Sequence, residues 1–387
     1  MTDNTKHNIP QLRFPEFTGE WKEKKLEEVC KIITPTLKLQ SSEYHKQGKY
    51  PIVDQSQTKI CGWTNDDEGL ICDTPVIIFG DHTCVLKYID FPFIQGADGI
   101  KILSPYDSYH PQFVFQTFLS NPIIQDGYKR HFSDFKEKLY MFPSSPIEQQ
   151  KIADCLSALD DMISAEGQKT EALREYKRGL MQQLFPANGA TTPQLRFPGF
   201  TGEWKEKKLG DSFDERVEKN RGDLPLLSLG EEGLKLQSET ERKDNSNADK
   251  SKYLRVALGD IAYNTMRMWQ GRCVYSNIEG IVSPAYTVCK PKQGIDGLFH
   301  YYLFKTNRMI HIFHQNSQGL VSDTLNLKYD SFSKIKYFLP PTLAEQQKIA
   351  DCLSSLDDMI TAQAGRTETL REYKRGLMQQ LFPQPSK

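Results

Sequence analysis

The chain lacks nearly everything that would announce an activity on its own. Its longest apolar runs are a few residues, far short of the ~20 a membrane helix needs. The opening stretch, MTDNTKHNIPQL, has no apolar core of the signal-peptide kind, so the expectation is a cytoplasmic protein with no membrane contact. Charge of neither sign is in excess: 49 Lys and Arg stand against 50 Asp and Glu, a net charge of −1. Composition therefore does not advertise a nucleic-acid binder, although a surface is governed by its local field. There are eight cysteines but no CxxC, and Cys30, Cys61, Cys72 and Cys84 are not spaced as zinc ligands, which points to reduced, mostly buried thiols. Also absent are a phosphate loop of the GxxxxGK[ST] kind, HExxH, GxSxG and the HxE with PCxxC of zinc deaminases. The Asn/Asp-Pro-Pro-aromatic motif of amino-methyltransferases is missing too, and SNPI at Ser120–Ile123 falls short of it. The acidic clusters Asp66, Asp67, Glu68 and Glu231, Glu232 read as solvated turns. His82, His311 and His314 are scattered, with no metal-ligand spacing.

What is present is duplication. EQQKIADCLSALDDMISAEGQKTEALREYKRGLMQQLFP at Glu148–Pro186 returns at Glu345–Pro383 with few changes and no gap. QLRFPEFTGEWKEKKL at Gln11–Leu26 returns as QLRFPGFTGEWKEKKL at Gln194–Leu209. Internal repeats of this kind organise everything around them. The 387 residues, enough for about two or three domains, thus form one unit written twice, with two dissimilar middles, roughly 27–147 and 210–344. The first middle has eleven basic and fifteen acidic residues, the second eighteen and sixteen.

Both middles predict mixed α and β structure in one order. In the first, Val76–Phe79, Cys84–Ile89 and Gly99–Leu103 have strand composition, Pro111–Asn121 has helical apolar spacing, and Lys138–Phe142 closes the domain as a strand. In the second, Leu254–Met266 and Ile281–Lys290 read as strands, Gly297–Asn307 as the matching helix, and Lys334–Pro341 as the closing strand. Phe14, Phe17 and Trp21, repeated as Phe197, Phe200 and Trp204, are expected to anchor each lead-in.

The long repeat predicts a helix. Leu156, Leu159, Ile163, Leu173, Leu180 and Leu184 fall at heptad-compatible steps, as do Leu353, Leu356, Ile360, Leu370, Leu377 and Leu381, with Glu166 and Thr170 breaking the seam. Proline bounds each helix, at Pro143 and Pro146, Pro186, Pro341 and Pro383. At 1.5 Å per residue each spans ~57 Å, and such a stripe needs a partner, most simply its own copy. The roughly 23 residues after Pro186 reach a parallel start only if nearly extended at ~3.3 Å each, so an antiparallel pair is expected.

Duplicated helices, variable middles and the strings FPSSPIEQQKIADCLSALDDMI (Phe142–Ile163) and LPPTLAEQQKIADCLSSLDDMI (Leu339–Ile360) together resemble the specificity subunit of type I restriction–modification systems. The resemblance covers essentially the whole chain. It implies an α+β fold: two mixed α/β target recognition domains joined by two long helices in an antiparallel coiled coil, with a pseudo-two-fold internal repeat. The segments would be 1–147 (lead-in and first recognition domain), 148–186 (first spacer helix), 187–344 (lead-in and second recognition domain) and 345–387 (second spacer helix and tail). It implies a non-catalytic chain that binds double-stranded DNA, two methyltransferase subunits and restriction/motor subunits. S-adenosylmethionine, ATP and magnesium would sit on those partners, with no cofactor on this chain.

Under that resemblance, the loop YNTMRMWQGR is the leading candidate for base contact. Arg267 and Arg272 suit guanine, Asn264 and Gln270 suit adenine, Trp269 suits stacking, and Tyr263 and Thr265 flank them. Gln315, Asn316 and Gln318, in the stretch Gln315–Ser322, form a second candidate. In the first domain the candidates are Gln55, Ser56 and Gln57, then His82 and Thr83, then Lys129, Arg130 and His131. A duplicated coiled-coil adaptor whose end domains bind proteins is the alternative that the acidic first middle favours.

Overall fold

The computed structural model describes residues 8–97, 99–230, 233–240, 246, 248–319 and 324–383. The acidic pair Glu231 and Glu232, the end of the second candidate loop at Leu320–Ser322, and Met1–His7 lie outside the described residues. The chain divides into two units: Met1–Gly167 with Ala364–Lys387, and Gln168–Gln363.

The first unit is built on β1 (Cys30–Ile33), β2 (Val76–Gly80), β3 (Leu86–Ile89) and β4 (Ile100–Pro105), with α1 (Pro111–Ser120) and α2 (Phe132–Glu137) following. The strands lie in the order β1-β4-β2-β3, all antiparallel. VIIFG in β2 is apolar throughout because both faces of this central strand are covered. Side chains alternate across a strand, so Ile77 and Phe79 enter one core with Phe113, Phe118 and Phe135. Val76 and Ile78 enter another with Ile89, Phe93 and Ile102. Each fully buried side chain of this size contributes about 1.5–3 kcal/mol. The strand expected from Cys84 begins at Leu86, because Gly80 to Val85 closes a tight turn with Cys84 at φ 54°.

A long helix, α3 (Pro146–Leu184), runs from this unit into the second. The second unit then repeats the plan with β5 (Phe213–Glu215), β6 (Ile261–Asn264), β7 (Cys273–Tyr275) and β8 (Tyr286–Pro291), in the order β5-β8-β6-β7, again all antiparallel. Its helices are α4 (Gly297–Phe304) and α5 (Asn307–Asn316), and α6 (Leu343–Leu381) returns to the first unit. The stretch expected as one strand at Ile281–Lys290 is two. Pro284 has no N–H for a ladder, so Gly280–Val282 pairs with Leu254–Val256 while β8 pairs with β6. The helix expected from Gly297 to Asn307 stops at Phe304, and Thr306 caps α5 by accepting from Met309 N at 3.3 Å.

α3 and α6 have 39 residues each, about 58 Å at 1.5 Å per residue. Ser145 and Thr342 accept from the backbone of Glu148 and Glu345, both at 3.3 Å. In the first unit the start of α3 and the end of α6 share one core, holding Leu156, Leu381 and Phe382. Lys374 Nζ donates to Asp160 at 2.6 Å. In the second unit the roles exchange. Leu184 and Leu353 share the core, and Lys177 pairs with Asp357, the repeat image of the first pair. The reciprocity makes the two stretches antiparallel within each unit. Thr170 and its image Thr367 are buried, so the break in the apolar stripe keeps its place on the inner side of the helix.

The second unit also buries a polar chain. His300 Nδ1 lies 2.7 Å from Asp296 O, its Nε2 2.9 Å from Tyr337 Oη, and that hydroxyl 2.5 Å from Ser212 Oγ. Burial lowers the His300 pKa to about 4, against about 6.5 in an unfolded chain. Below that higher value the unfolded state takes a proton that the folded state refuses. The unit is therefore expected to lose roughly 3 kcal/mol as pH falls from 6.5 toward 4, with full stability retained above 6.5. Urea midpoints at pH 7 and pH 5 check this: His300→Gln should show a smaller drop than wild type. Equal drops would assign the acid sensitivity elsewhere.

Candidate nucleic-acid interface

In the second unit, the turn 265–272 joins β6 to β7. Asn264 starts it with a side-chain turn, Oδ1 accepting from Met266 N at 2.9 Å. A 3₁₀ turn at Met268–Gln270 ends on Gly271, whose φ of 73° is left-handed. A Cβ there would lie 3.0 Å from the Ile310 side chain, so glycine lets the turn lie flat on α5. Thr265 Oγ1 donates to Ala285 O at 3.1 Å, and Leu327 N to Thr265 O at 2.8 Å. Trp269 Nε1 is used locally, donating to Met266 O at 3.0 Å, and its ring meets His314 edge-on at 5.8 Å. Gln315, Asn316 and Gln318 are exposed just beyond, Asn316 folding back to Ile312 O at 2.9 Å.

Under this turn lies a recess of about 440 Å³, lined by Arg267, Arg272, Asn264, Gln270, Tyr286 and Lys305 together with apolar and glycine positions and, among the described residues, by no carboxylate. Other arginines of this unit are engaged. Arg196, Arg216, Arg221 and Arg255 each hold carboxylates, and Arg308 donates to Ala187 O and Ala190 O at 2.9 and 2.8 Å. Lys305 and Tyr286 carry no motif in the sequence. They reach the recess only because α4 and β8 fold beside the turn.

One expected contact residue is corrected here. Tyr263 is fully buried among the core side chains shared with Ile261, Cys289 and Phe332. Strand parity sends it inward with Ile261 while Asn264 emerges at the edge.

In the first unit, the turn joining β2 to β3 gathers residues from three separate segments. Thr83 Oγ1 donates to Gln55 O at 2.9 Å. Gln55 packs against Gly99. Ser56 N donates to Asp54 Oδ1 at 2.8 Å, and the buried Lys87 ammonium fixes this loop by donating to Asp54 O and Thr58 O at 2.6 Å each. Burial holds the Lys87 pKa below its ordinary value. Gln57 is exposed. His82 stacks on Tyr128 at 5.1 Å and 10°, with Nδ1 3.2 Å from Lys129 O. Lys129 and Arg130 are exposed. His131 is the second correction: it is fully buried, its backbone N–H tied to Asp81 O at 2.8 Å, and Phe132 and Phe135, which follow it, pack on Phe79. The exposed Asp66–Glu68 cluster is a turn, Glu68 N donating to Asp66 Oδ1 at 3.0 Å. Among the described residues no group of three or more His, Cys, Asp or Glu is placed to hold a metal ion.

The two candidate clusters occupy one topological place. β2–β3 and β6–β7 are the same hairpin in sheets of the same order, and the turns carry His82 and Thr83 in the first unit and Thr265, Arg267, Trp269, Gln270 and Arg272 in the second.

The repeated strings turn out to be the frame that holds these turns. Glu148 is 1% exposed and accepts a fork from Arg13, Nε at 2.7 Å and Nη2 at 2.9 Å, plus Trp21 Nε1 at 3.2 Å. Glu345, also 1% exposed, accepts the same set from Arg196 at 2.6 and 2.7 Å and Trp204 at 3.2 Å. The next residue ties in the globular helix, Gln149 Oε1 accepting from His110 N at 2.9 Å and Gln346 Oε1 from Asp296 N at 3.0 Å. The signal was legible: Arg, Trp and Glu recur together in both copies. Of the expected lead-in anchors, Trp21 and Trp204 are buried, whereas Phe14, Phe17, Phe197 and Phe200 are half-buried. The expected helix seam also differs at its ends, where Leu156, Leu184, Leu353 and Leu381 pack into the aromatic cores of the sheets. Leu159, Ile163, Leu173, Leu180, Ile360, Leu370 and Leu377 are half-buried and Leu356 is buried.

A family model described as the type I restriction modification DNA specificity domain matches residues 18–175 and 202–372. The type I restriction enzyme EcoR124I/EcoR124II specificity subunit of Escherichia coli is 24% identical over 164 residues, 40% of this chain and 41% of that protein. A putative type I restriction enzyme MjaX specificity subunit of Methanocaldococcus jannaschii is 26% identical over 264 residues, 62% of this chain and 58% of that protein. The matched stretches thus fall short of two thirds of either relative's length. The crystal structure of a type I restriction–modification S subunit from M. genitalium aligns over 98% of this chain and 100% of that one, with a TM-score of 0.63 at 16% identity, a likeness of fold.

Proposed function

The chain belongs to the type I restriction–modification DNA specificity family, and from that premise we propose that each unit reads one half of an asymmetric, bipartite DNA target. The observation that carries this reading is the pair of equivalent hairpin turns. One sheet topology, held by one repeated Arg–Trp–Glu clamp, presents Gln55, His82, Thr83 and Lys129 in one unit and Asn264 and Gln270 in the other. A shared frame with unequal tips suits unequal half-sites, because base edges in the major groove discriminate through the donors and acceptors they meet.

The long helices hold the two readers at a set separation and dock two methyltransferase subunits. Exposed Met162 and Tyr176, with their repeat images Met359 and Tyr373, support this second role, since each helix keeps apolar side chains outside its inner stripe. S-adenosylmethionine is bound by the methyltransferase subunits, and ATP and magnesium by restriction/motor subunits. The work is cytoplasmic, and among the described residues no helix is long and apolar enough to cross a membrane.

The test is reconstitution with methyltransferase subunits of a type I system from the same source, then mapping of methylated bases in a DNA library. A bipartite motif with two dissimilar halves is expected. A complex that shows no sequence preference, or a chain that captures proteins but no DNA, would favour the adaptor reading.

A further inference from the structure

We propose that the recess under the 265–272 turn binds a phosphodiester phosphate of the DNA backbone. Arg267, Arg272 and Lys305 would then set affinity and register, while exposed neighbours such as Gln270 meet the bases. The proposal rests on the DNA-recognition reading above and assigns a chemical role within it.

Three features carry it. The first is charge. Arg267 and Arg272 line one recess, and Lys305 borders it with its ammonium over the Tyr301 ring at 4.4 Å; among the described residues no carboxylate lines it. Among the described residues neither the Arg267 nor the Arg272 guanidinium has an ion-pair or hydrogen-bond partner, although Arg216 and Arg255 in the same unit are each paired. Unpaired guanidinia aimed at a shared space suit an anion. A base edge can also accept from arginine, but a phosphate adds an opposite charge to the hydrogen bonds its oxygens accept.

The second is shape. Phosphates are the outermost groups of a duplex, whereas major-groove base edges lie at the floor of a channel roughly 8.5 Å deep. A recess receives a protruding group; a groove floor is reached by a protruding element. The third is stiffness. Gly271 holds the turn flat against Ile310, and Thr265 is fastened on two sides by Ala285 and Leu327. The two arginines therefore sit on an anchored turn, with Arg272 N directed to Arg267 O, and the turn is not free to extend into a groove. Backbone contacts of this kind fix register without carrying sequence information.

The experiment uses the complex with its methyltransferase subunits, carrying Arg267→Gln, Arg272→Gln or Lys305→Gln, which keep side-chain length, with the alanine variants as a second set. Binding to the methylated-motif duplex and to a scrambled duplex is titrated across about 50–200 mM salt, and the methylated motif is mapped again. Each loss of a phosphate contact should make the slope of log K against log salt shallower by about one. Both duplexes should weaken by a like factor, and the motif should be unchanged. A variant that relaxes the motif at one base pair with an unchanged salt slope makes that arginine a base reader and overturns the assignment. Unchanged slope and unchanged motif in all three would remove the recess from the interface. A wild-type complex equally content with both duplexes would take down the DNA-recognition reading, and this inference with it.

Discussion

Arg196→Ala should destabilise the second unit by about 3–5 kcal/mol, the range for breaking a buried ion pair from one side. Glu345 is 1% exposed, and Arg196 supplies two of the three side-chain hydrogen bonds that hold its carboxylate, leaving only Trp204 Nε1 at 3.2 Å. The same arginine also donates to Thr201 O and Gly202 O, so its loss frees the lead-in as well as the start of α6. Arg196→Lys should recover only part of the stability, because a point charge does not reproduce the fork. Arg196→Ala with Glu345→Gln should be milder than Arg196→Ala alone, since a neutral amide is less costly to leave buried. Circular dichroism melts or urea midpoints of the four proteins decide the matter. An Arg196→Ala midpoint within about 0.5 kcal/mol of wild type, the scale of an ordinary surface change, would mean that the clamp is ornamental. Arg13→Ala should repeat the effect in the first unit through Glu148.

Exchange of residues 27–147 for the corresponding domain of another family member should change one half of the methylated motif completely and leave the other half as it was. The exchanged segment contains the sheet β1-β4-β2-β3, the turn bearing His82 and Thr83, and the loop bearing Lys129. It leaves in place Arg13, Trp21 and Glu148, which clamp whatever sheet is inserted. The second unit keeps a separate core of its own. Specific interfaces lose ~1–3 kcal/mol per mismatched base pair, so a foreign half-site of several pairs should be rejected outright by the parent and accepted by the chimaera. Long-read sequencing of methylated DNA from cells carrying each protein gives the answer. New sequence in both halves would show that the units read jointly.

The duplication, the two long helices, the mixed α and β middles and their shared order were determined by the sequence itself. These are periodic or repetitive properties, and periodicity survives translation into structure because a helix and a strand each impose a fixed repeat on their buried faces. The antiparallel sense followed from a linker too short to run comfortably back along a helix. Family membership was equally legible, because the EQQKIADCLS strings recur in both copies.

Tertiary structure alone decided the rest. Tyr263 and His131 sat in polar, loop-like strings and belong to cores, since strand parity and a neighbouring Phe outweigh local composition. Pro284 split a strand whose remaining residues favour one. Glu148 and Glu345 stand in the first turns of the long helices and are buried there, held by partners more than 120 residues away in the chain that no local pattern could name. Lys305 joined Arg267 and Arg272 only when α4 packed beside β7. Side chains distant in sequence meet through the closing of a sheet and the burial of its faces, and no local pattern records which of them will converge on one recess.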